Sequence, residues 1–210
     1  MFPLQTQTSQ VLSEHHFIED RDCARVLHVV SADGTNKLTR ACVLELTAAV
    51  EAMAVDPKAL IITGNEHFFS AGADLNEIAE LTGPAALDFA KMGQRLMNLI
   101  EAFPALTVAA IRGYCMGGGL DLALACRVRF AHAHAVFGHR GAALGLITGW
   151  GGTQRLARTV GKAKAVEMLI AAEKLTANRA LQFGLVRRIV PDPIAAALTL
   201  IAPVDASVVP

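Results

Sequence analysis

Two glycine-containing turns place peptide N–H groups where a ligand can approach them. One turn is Phe69–Leu75, and the other lies within Ile111–Ala125, where an apolar run leads through three consecutive glycines into a helix. The first N–H groups of a helix lack intrahelical partners and carry the positive end of its dipole. Two such turns can together polarise one carbonyl oxygen. Gly118 is the first candidate donor, and the pair of turns predicts an oxyanion hole.

The same glycines also fit tight turns or close packing of a helix on a strand. Other ligand-binding motifs are missing from the sequence. After Gly117 the spacing does not match G-x-G-x-x-G, and no Walker-type phosphate loop, G-x-S-x-G elbow or H-E-x-x-H motif occurs. These absences argue against dinucleotide binding, nucleotide hydrolysis, serine hydrolases of that type and zinc proteases.

Composition indicates a folded chain with a small-molecule partner. The 210 residues are 53% hydrophobic, which is enough apolar material for a core. The formal net charge is zero, so the charge balance indicates no basic patch for nucleic acid. The apolar stretch 194–204 is interrupted by Thr199 and Pro203 and is too short to span a bilayer. Residues 1–16 lack the pattern of a secretory signal. We therefore expect a cytoplasmic protein without nucleic-acid or membrane partners.

The four cysteines predict neither disulfides nor a metal site. Cys23, Cys42, Cys115 and Cys126 form no C-x-x-C pair and stand among mostly apolar neighbours. This pattern is typical of reduced thiols in a core. We expect no metal.

Strands and helices alternate along the chain. Arg25–Val30, Ala59–Thr63 and Thr107–Ile111 are predicted strands, and each is followed by a turn and a helical pattern. Further predicted elements are helices at 75–81, from Pro84, at 153–160, 162–172 and 176–184, and strands at 127–131, 135–137 and 186–190. Repeated strand-to-helix units imply parallel strands with helical crossovers in one α/β domain. The glycine-spaced loop 141–152 is expected to form a wall of the site.

Four motifs in this order resemble the crotonase, or enoyl-CoA hydratase/isomerase, superfamily. They are Phe69–Asp74, Arg112–Gly119, Phe137–Gly138 and Gly149–Leu156. The resemblance implies an α/β spiral of ββα units that binds acyl-CoA thioesters and stabilises a thioester enolate. Coenzyme A would be part of the substrate, so no separate cofactor is expected.

The resemblance also implies boundaries and assembly. Residues 1–190 would form the acyl-CoA-binding core and residues 191–210 a short tail, so that the usual C-terminal helices are shortened or absent. A homotrimer or hexamer is expected by analogy, although a tail with prolines is not expected to supply the helices that usually cover the CoA pocket.

The resemblance assigns site residues by motif position. Ala73 and Gly118 would donate their N–H groups to the enolate oxygen. Asp121 and Gly141 occupy the positions of two catalytic glutamates, so one carboxylate is shortened and the other is missing. The expected substrate-binding residues are Ala71, Gly72, Asp74, His139 and Gly149.

Several assignments stay open at this stage. Asp121 either carries a proton or favours the start of its helix. His139 either substitutes for the carboxylate missing at Gly141 or makes a loop hydrogen bond. Arg140 is a candidate anion ligand, and His67 and Glu77 face either the cavity or the solvent.

The missing carboxylate leaves three other functions open. Glycine at this position resembles the naphthoate synthase branch, although Thr148 stands where that branch carries an aspartate. Decarboxylase members need the oxyanion donors but fewer proton carriers. A non-catalytic acyl-CoA-binding protein is the remaining alternative.

Overall fold

The computed structural model describes residues 13–202. Most of the segment tested for a secretory signal, 1–12, and the end of the predicted tail, 203–210, lie outside these residues. Twelve strands are described, numbered in chain order: β1 (His16–Asp20), β2 (Ala24–Val29), β3 (Lys37–Leu38), β4 (Ala59–Thr63), β5 (Phe68–Ser70), β6 (Gly72–Ala73), β7 (Thr107–Ile111), β8 (Tyr114–Met116), β9 (Val128–Ala131), β10 (Val136–Gly138), β11 (Leu175–Thr176) and β12 (Arg188–Ile189).

Eight α-helices and one 3₁₀ turn connect or follow these strands. They are α1 (Arg40–Met53), α2 (Leu75–Ala79), α3 (Gly83–Glu101), α4 (Gly118–Ala125), the 3₁₀ turn (Gly141–Leu144), α5 (Gly152–Val160), α6 (Lys162–Ala171), α7 (Ala177–Gln182) and α8 (Pro193–Ile201).

A six-stranded sheet in the order β1-β2-β4-β7-β9-β12 carries the fold. Its strands from β2 onward are parallel, as the strand-to-helix units predict, and β1 pairs antiparallel with β2 at one edge. The central strands β4 and β7 are buried along their whole length. Such strands are covered by packed elements on both faces, and this explains their unbroken apolar sequences.

Short strands form a second sheet that the sequence does not predict in full. Its order is β11-β10-β8-β5, and β3 pairs separately with β6. Along the chain, a strand of the large sheet is followed by a short strand and then by helix, as in β4-β5-α2 and β7-β8-α4. This is the ββα spiral expected from the resemblance. Strands of two or three residues leave little periodicity to be recognised in a sequence.

The two faces of the large sheet pack against different helices. Leu27, Leu60 and Ile62 belong to the larger core with residues of α1, α3 and α4. Alternate residues such as Val26 and Ile61 belong to a second cluster. Side chains of a strand point alternately to its two faces, so the sheet divides the molecule into two apolar layers.

The predicted C-terminal tail begins with a helix. Asp192 caps α8 by accepting hydrogen bonds from the N–H groups of Ile194 and Ala195, and Pro193 occupies the first turn, where its missing N–H is harmless. Ala197 is fully buried in the second cluster. Ordered packing therefore continues past residue 190 to the end of α8.

One cysteine differs from its sequence-based prediction. Cys42, Cys115 and Cys126 are buried as expected, but Cys23 is exposed. It lies in the turn between β1 and β2. Its near neighbours Arg21, Asp22 and Arg25 are charged, so this cysteine lacks the apolar surroundings of the other three.

Candidate active site

A cavity of about 600 Å³ opens beside the N-terminus of α4. Its wall is mostly apolar, with residues from α2, α3 and α6 and from the loop 141–150 that the sequence predicts as a wall. Polar side chains enter it at few points. Its lining residues include Ala71, Ala73, Leu75, Ile78, Phe89, Met116, Gly117, Gly118, Asp121, His139, Arg140, Gly141, Leu146, Ile147, Thr148, Gly149, Trp150 and Ile170.

The two glycine-containing turns are in direct contact at this cavity. A methyl group on Gly118 would lie 3.2 Å from the backbone nitrogen of Ala73, and one on Gly72 would lie 3.0 Å from the nitrogen of Gly118. Gly117 precedes α4 with φ +50°, a conformation that favours glycine. Gly118 is therefore the first residue of α4, and its N–H belongs to the group without intrahelical partners.

Trp150 fixes the position of this helix start. Its indole N–H donates a 3.2 Å hydrogen bond to the carbonyl oxygen of Phe89, and the two rings pack with centroids 5.3 Å apart. A methyl group on Gly118 or on Gly93 would lie 2.5 Å or less from the indole ring. Both glycines are thus needed for the close approach of the backbone to the indole ring. Gly93 lies within α3, where glycine otherwise lowers helix stability.

Asp121 and His139 form a buried polar pair at the cavity wall. Asp121 lies on α4 and is 0% exposed, whereas His139 follows β10 and is 4% exposed. His139 Nε2 lies 3.2 Å from Asp121 Oδ1, but the contact lacks hydrogen-bond geometry, so both atoms are without hydrogen-bond partners among the described residues. Thr148 donates a short hydrogen bond from Oγ1 to Asp121 Oδ2.

Two further glycines define the space around this pair. A methyl group on Gly152 would lie 1.8 Å from Asp121 Oδ1. At Gly141, which lies on the cavity wall, a methyl group would lie 2.7 Å from the carbonyl oxygen of Leu146. Gly152 therefore leaves room for the carboxylate, and the backbone at Gly141 leaves little room for any side chain.

The structure brings most of the predicted site residues to one cavity. The predicted residues on its wall are Ala71, Ala73, Gly118, Asp121, His139, Arg140, Gly141 and Gly149. His139 faces Asp121 instead of making a loop hydrogen bond. Asp121 bonds to Thr148 and does not cap its helix through the side chain.

Four predicted candidates do not reach the cavity wall. Gly72 is buried behind it with φ +96°, against the backbone of Met116. Asp74 caps α2 by accepting from Asn76 N, and this hydrogen bond together with Lys37 lowers the pKa of its carboxyl. Glu77 accepts a hydrogen bond from Arg40 N at the start of α1. His67 is exposed.

The sequence analysis misses residues that contact Asp121 and one that contacts Trp150. Thr148 enters the prediction only as a departure from one branch of the superfamily, and no role is predicted for Gly152 or for the contact of Gly93 with Trp150. Gly93 carried a usable signal, since glycine inside an amphipathic helix often marks a close approach. The Thr148–Asp121 contact joins a loop to a helix and leaves no local pattern.

Other reactive groups near the cavity are inert or absent from the described part of the chain. Burial, and then the Asp121 carboxylate, raise the pKa of the Cys115 thiol well above its ordinary value, which opposes thiolate formation. Within residues 13–202, no three His, Cys, Asp or Glu side chains are grouped as metal ligands. In the same range no helix combines the length and apolarity needed to cross a membrane.

The ββα spiral, with two turns meeting at one cavity, defines a crotonase-type fold. The chain belongs to the enoyl-CoA hydratase/isomerase family, whose model matches residues 27–198. It is similar to a crotonyl-CoA hydratase of Syntrophomonas wolfei, with 37% identity over 84% of this chain and 69% of the relative. A 2,3-dehydroadipyl-CoA hydratase of Escherichia coli is 42% identical over 75% of this chain and 62% of the relative.

Solved structures support the same family. The structure of Pseudomonas aeruginosa DspI matches 93% of this chain and 76% of its own, with a TM-score of 0.86 and 33% identity. Among the first three curated relatives, the matched share of the relative is between 60% and 69%. The chain thus spans about two thirds of the length of these relatives.

Proposed function

We propose that this chain is an acyl-CoA enzyme of the enoyl-CoA hydratase/isomerase type that stabilises a thioester enolate. One observation carries the proposal: the backbone nitrogens of Ala73 and Gly118 belong to contacting turns on the wall of one cavity, beside Asp121. The thioester oxygen would accept hydrogen bonds from both N–H groups. Fixed donors need little reorganisation as charge develops, and each contributes a few kcal/mol to the transition state.

The cavity wall supports an uncharged hydrocarbon acyl group. Leu75, Ile78, Ile147 and Ile170 line the cavity, and Ile147 is 74% exposed. Arg140 is the lining residue with a permanently charged side chain, and it is exposed. An apolar acyl chain would cover such a surface, whereas a terminal carboxylate would lose its hydration without gaining a buried cationic partner.

A second candidate reaction is favoured by the glycine at position 141. A decarboxylase-like or naphthoate-synthase-like member forms its enolate with fewer carboxylates than a hydratase, and Asp121 is the only carboxylate among the described lining residues. Malonyl-CoA that loses carbon dioxide while an enoyl-CoA remains unhydrated would support this second candidate.

Proton exchange tests the proposed function most directly. The protein is incubated in D₂O with a saturated acyl-CoA, and deuterium at the carbon next to the thioester carbonyl is followed by mass spectrometry. We expect exchange, together with conversion of at least one member of a panel of enoyl-, malonyl- and aryl-CoA thioesters. Binding without exchange or conversion would instead identify a non-catalytic acyl-CoA-binding protein.

We also propose the assembly and location that the sequence predicts, a cytoplasmic homotrimer or hexamer. The family resemblance supports this assembly. Sedimentation velocity of the full chain tests it, and a monomer at micromolar concentration would contradict it.

A further inference from the structure

The cavity holds two side chains of the types that exchange protons in enzymes. Among the described lining residues these are Asp121 and His139, because Arg140 keeps its proton in proteins. Both are buried and line the same cavity as Ala73 and Gly118. A thioester held by those two amides would therefore have its reacting carbons near this pair.

The contacts of the pair leave one position for a proton. Thr148 donates to Oδ2 of Asp121, so Oδ1 is the carboxylate oxygen that remains, and it faces Nε2 of His139 at 3.2 Å. Neither atom has another partner among the described residues. An oxygen of a fully buried carboxylate that lacks a partner is costly, so Oδ1 and the facing Nε2 together offer one site for an incoming proton.

Position 141 is closed to a substitute carboxylate in this backbone. The nearest obstacle is the Leu146 carbonyl oxygen, 2.7 Å from where a methyl group on Gly141 would lie, and backbone atoms yield less readily than side chains. The imidazole of His139 instead reaches Asp121 from the residue directly after β10. The imidazole thus lies two positions earlier in the chain than the carboxylate that the resemblance implies.

We propose that Asp121 and His139 act as one acid–base pair that carries a single proton, with His139 supplying the group that Gly141 lacks. The proposal rests on the proposed function. For hydration, the water oxygen forms a bond to the β-carbon while its proton passes to the pair. The electrons of the C=C bond move onto the thioester to form the enolate, and the pair then returns one proton to the α-carbon, so that water has been added.

The same pair also serves isomerisation. It removes a proton from the α-carbon, the enolate forms, and the proton is returned to the γ-carbon as the double bond shifts. No oxidant or further co-reactant is needed in either case. Thr148 is a positioning residue in this scheme, because it holds Oδ2 and leaves Oδ1 facing His139.

The test compares His139→Gln, Asp121→Asn and the double variant with the parent protein. Turnover and α-proton exchange report the chemistry, and fluorescence of Trp150, the single tryptophan of the chain and a lining residue, reports acyl-CoA binding. Each single variant is expected to lose about 10²- to 10⁴-fold in kcat while affinity changes only a few-fold. The double variant should lose no more than the worse single variant, because the two groups act as a unit.

A matched histidine change and a milder variant complete the design. His134→Gln alters an exposed histidine outside the cavity lining and should leave kcat unchanged. Thr148→Val keeps both members of the pair and removes the donor to Oδ2. It should lower kcat with little change in KM. This variant replaces the Asp121 and His139 variants as the test if one of them fails to fold. Normal kcat in Thr148→Val contradicts the proposal in that case.

The outcomes separate this proposal from the proposed function. Full turnover in His139→Gln, or losses that add in the double variant, would overturn the paired proton carrier while leaving the enzyme assignment intact. A parent protein that binds thioesters without exchange or turnover would overturn both. Large, non-additive losses with retained binding would support the pair.

Discussion

Two regions line the cavity: Ala73 and Gly118 present peptide nitrogens from two turns, whereas Asp121 and His139 present side chains from a helix and from the end of a strand. The first region depends on the backbone, where glycines permit close contact. The second depends on side chains that meet across the fold. Substitutions should therefore affect the backbone region mainly by adding bulk or removing an N–H, and the side-chain region by changing functional groups.

Within the backbone region, the largest effect is expected from removing one N–H donor without changing a side chain. Ala73→lactic acid replaces the N–H with an ester oxygen and keeps the methyl group. Loss of one oxyanion donor typically lowers kcat by about 10²- to 10³-fold. Ala73→Gly keeps the N–H and is the comparison variant, expected to lose much less activity. Equal activity in the ester variant and the parent would show that Ala73 is not a donor.

The next prediction tests whether the space that Gly152 leaves for Asp121 is needed for turnover. Gly152→Ala places a methyl group against Asp121 Oδ1 and should displace the carboxylate, although no catalytic group is changed. A misplacement of about 1 Å can lower turnover about 10²-fold. Steady-state kinetics and Trp150 fluorescence should show lower kcat with retained binding. Gly83→Ala is the control, because a methyl group there would meet nothing within 4 Å; parent-like kcat in Gly152→Ala would contradict the account.

A smaller effect should appear in the choice of acyl group. An enoyl-CoA with an apolar chain is expected to exceed a 2,3-dehydroadipyl-CoA substrate in kcat/KM by at least about tenfold, since the apolar wall does not compensate a desolvated carboxylate. Ile147→Lys, on the cavity wall, should narrow this ratio. Val166→Lys, which changes an exposed residue outside the lining, should not. A terminal carboxylate preferred by the parent protein would contradict the apolar interpretation of the wall.

The smallest predicted effect lies outside both regions and provides a baseline for work at different pH values. Burial lowers the pKa of His28 on β2 below its ordinary value of 6.5, and burial does the same for His16 on β1. Below pH 6.5 the unfolded chain therefore binds more protons at these sites than the folded chain, and the free energy of unfolding should fall as the pH drops from about 7 to 5. Urea unfolding measures this slope.

Substitutions of the histidines on β1 and β2 check which residues produce this pH dependence. His28→Gln should flatten the slope, whereas His134→Gln, which changes an exposed histidine, should leave it unchanged. The assignment to β1 and β2 would be wrong if the slope persisted unaltered when both His16 and His28 were replaced.

The comparison also explains what the sequence predicts and what it does not. The central strands and the turns with Ala73 and Gly118 are predictable because an apolar run or a glycine cluster reports a local requirement of the backbone. Of the four-stranded sheet only β10 is predicted, at 135–137, because the other strands are too short for a pattern. The antiparallel edge strand β1 and the helix α8 are missed because their burial depends on neighbours distant in sequence.

The side-chain region shows the same limit within the site. Asp121, His139 and Thr148 each appear in the sequence analysis, but nothing local indicates that one carboxylate contacts both of the others. In the sequence, Gly152 is only one residue of a family motif. The structure shows that a side chain at this position would collide with Asp121. Such contacts depend on three-dimensional packing, which neither spacing nor composition encodes.

A crystal structure with a bound acyl-CoA enolate analogue tests the central claim most directly. The account predicts that the analogue's oxygen lies about 3 Å from the backbone nitrogens of both Ala73 and Gly118, with its α-carbon beside Asp121 and His139. An oxygen that contacts neither nitrogen, or that binds outside the cavity shared by the two turns, would contradict it.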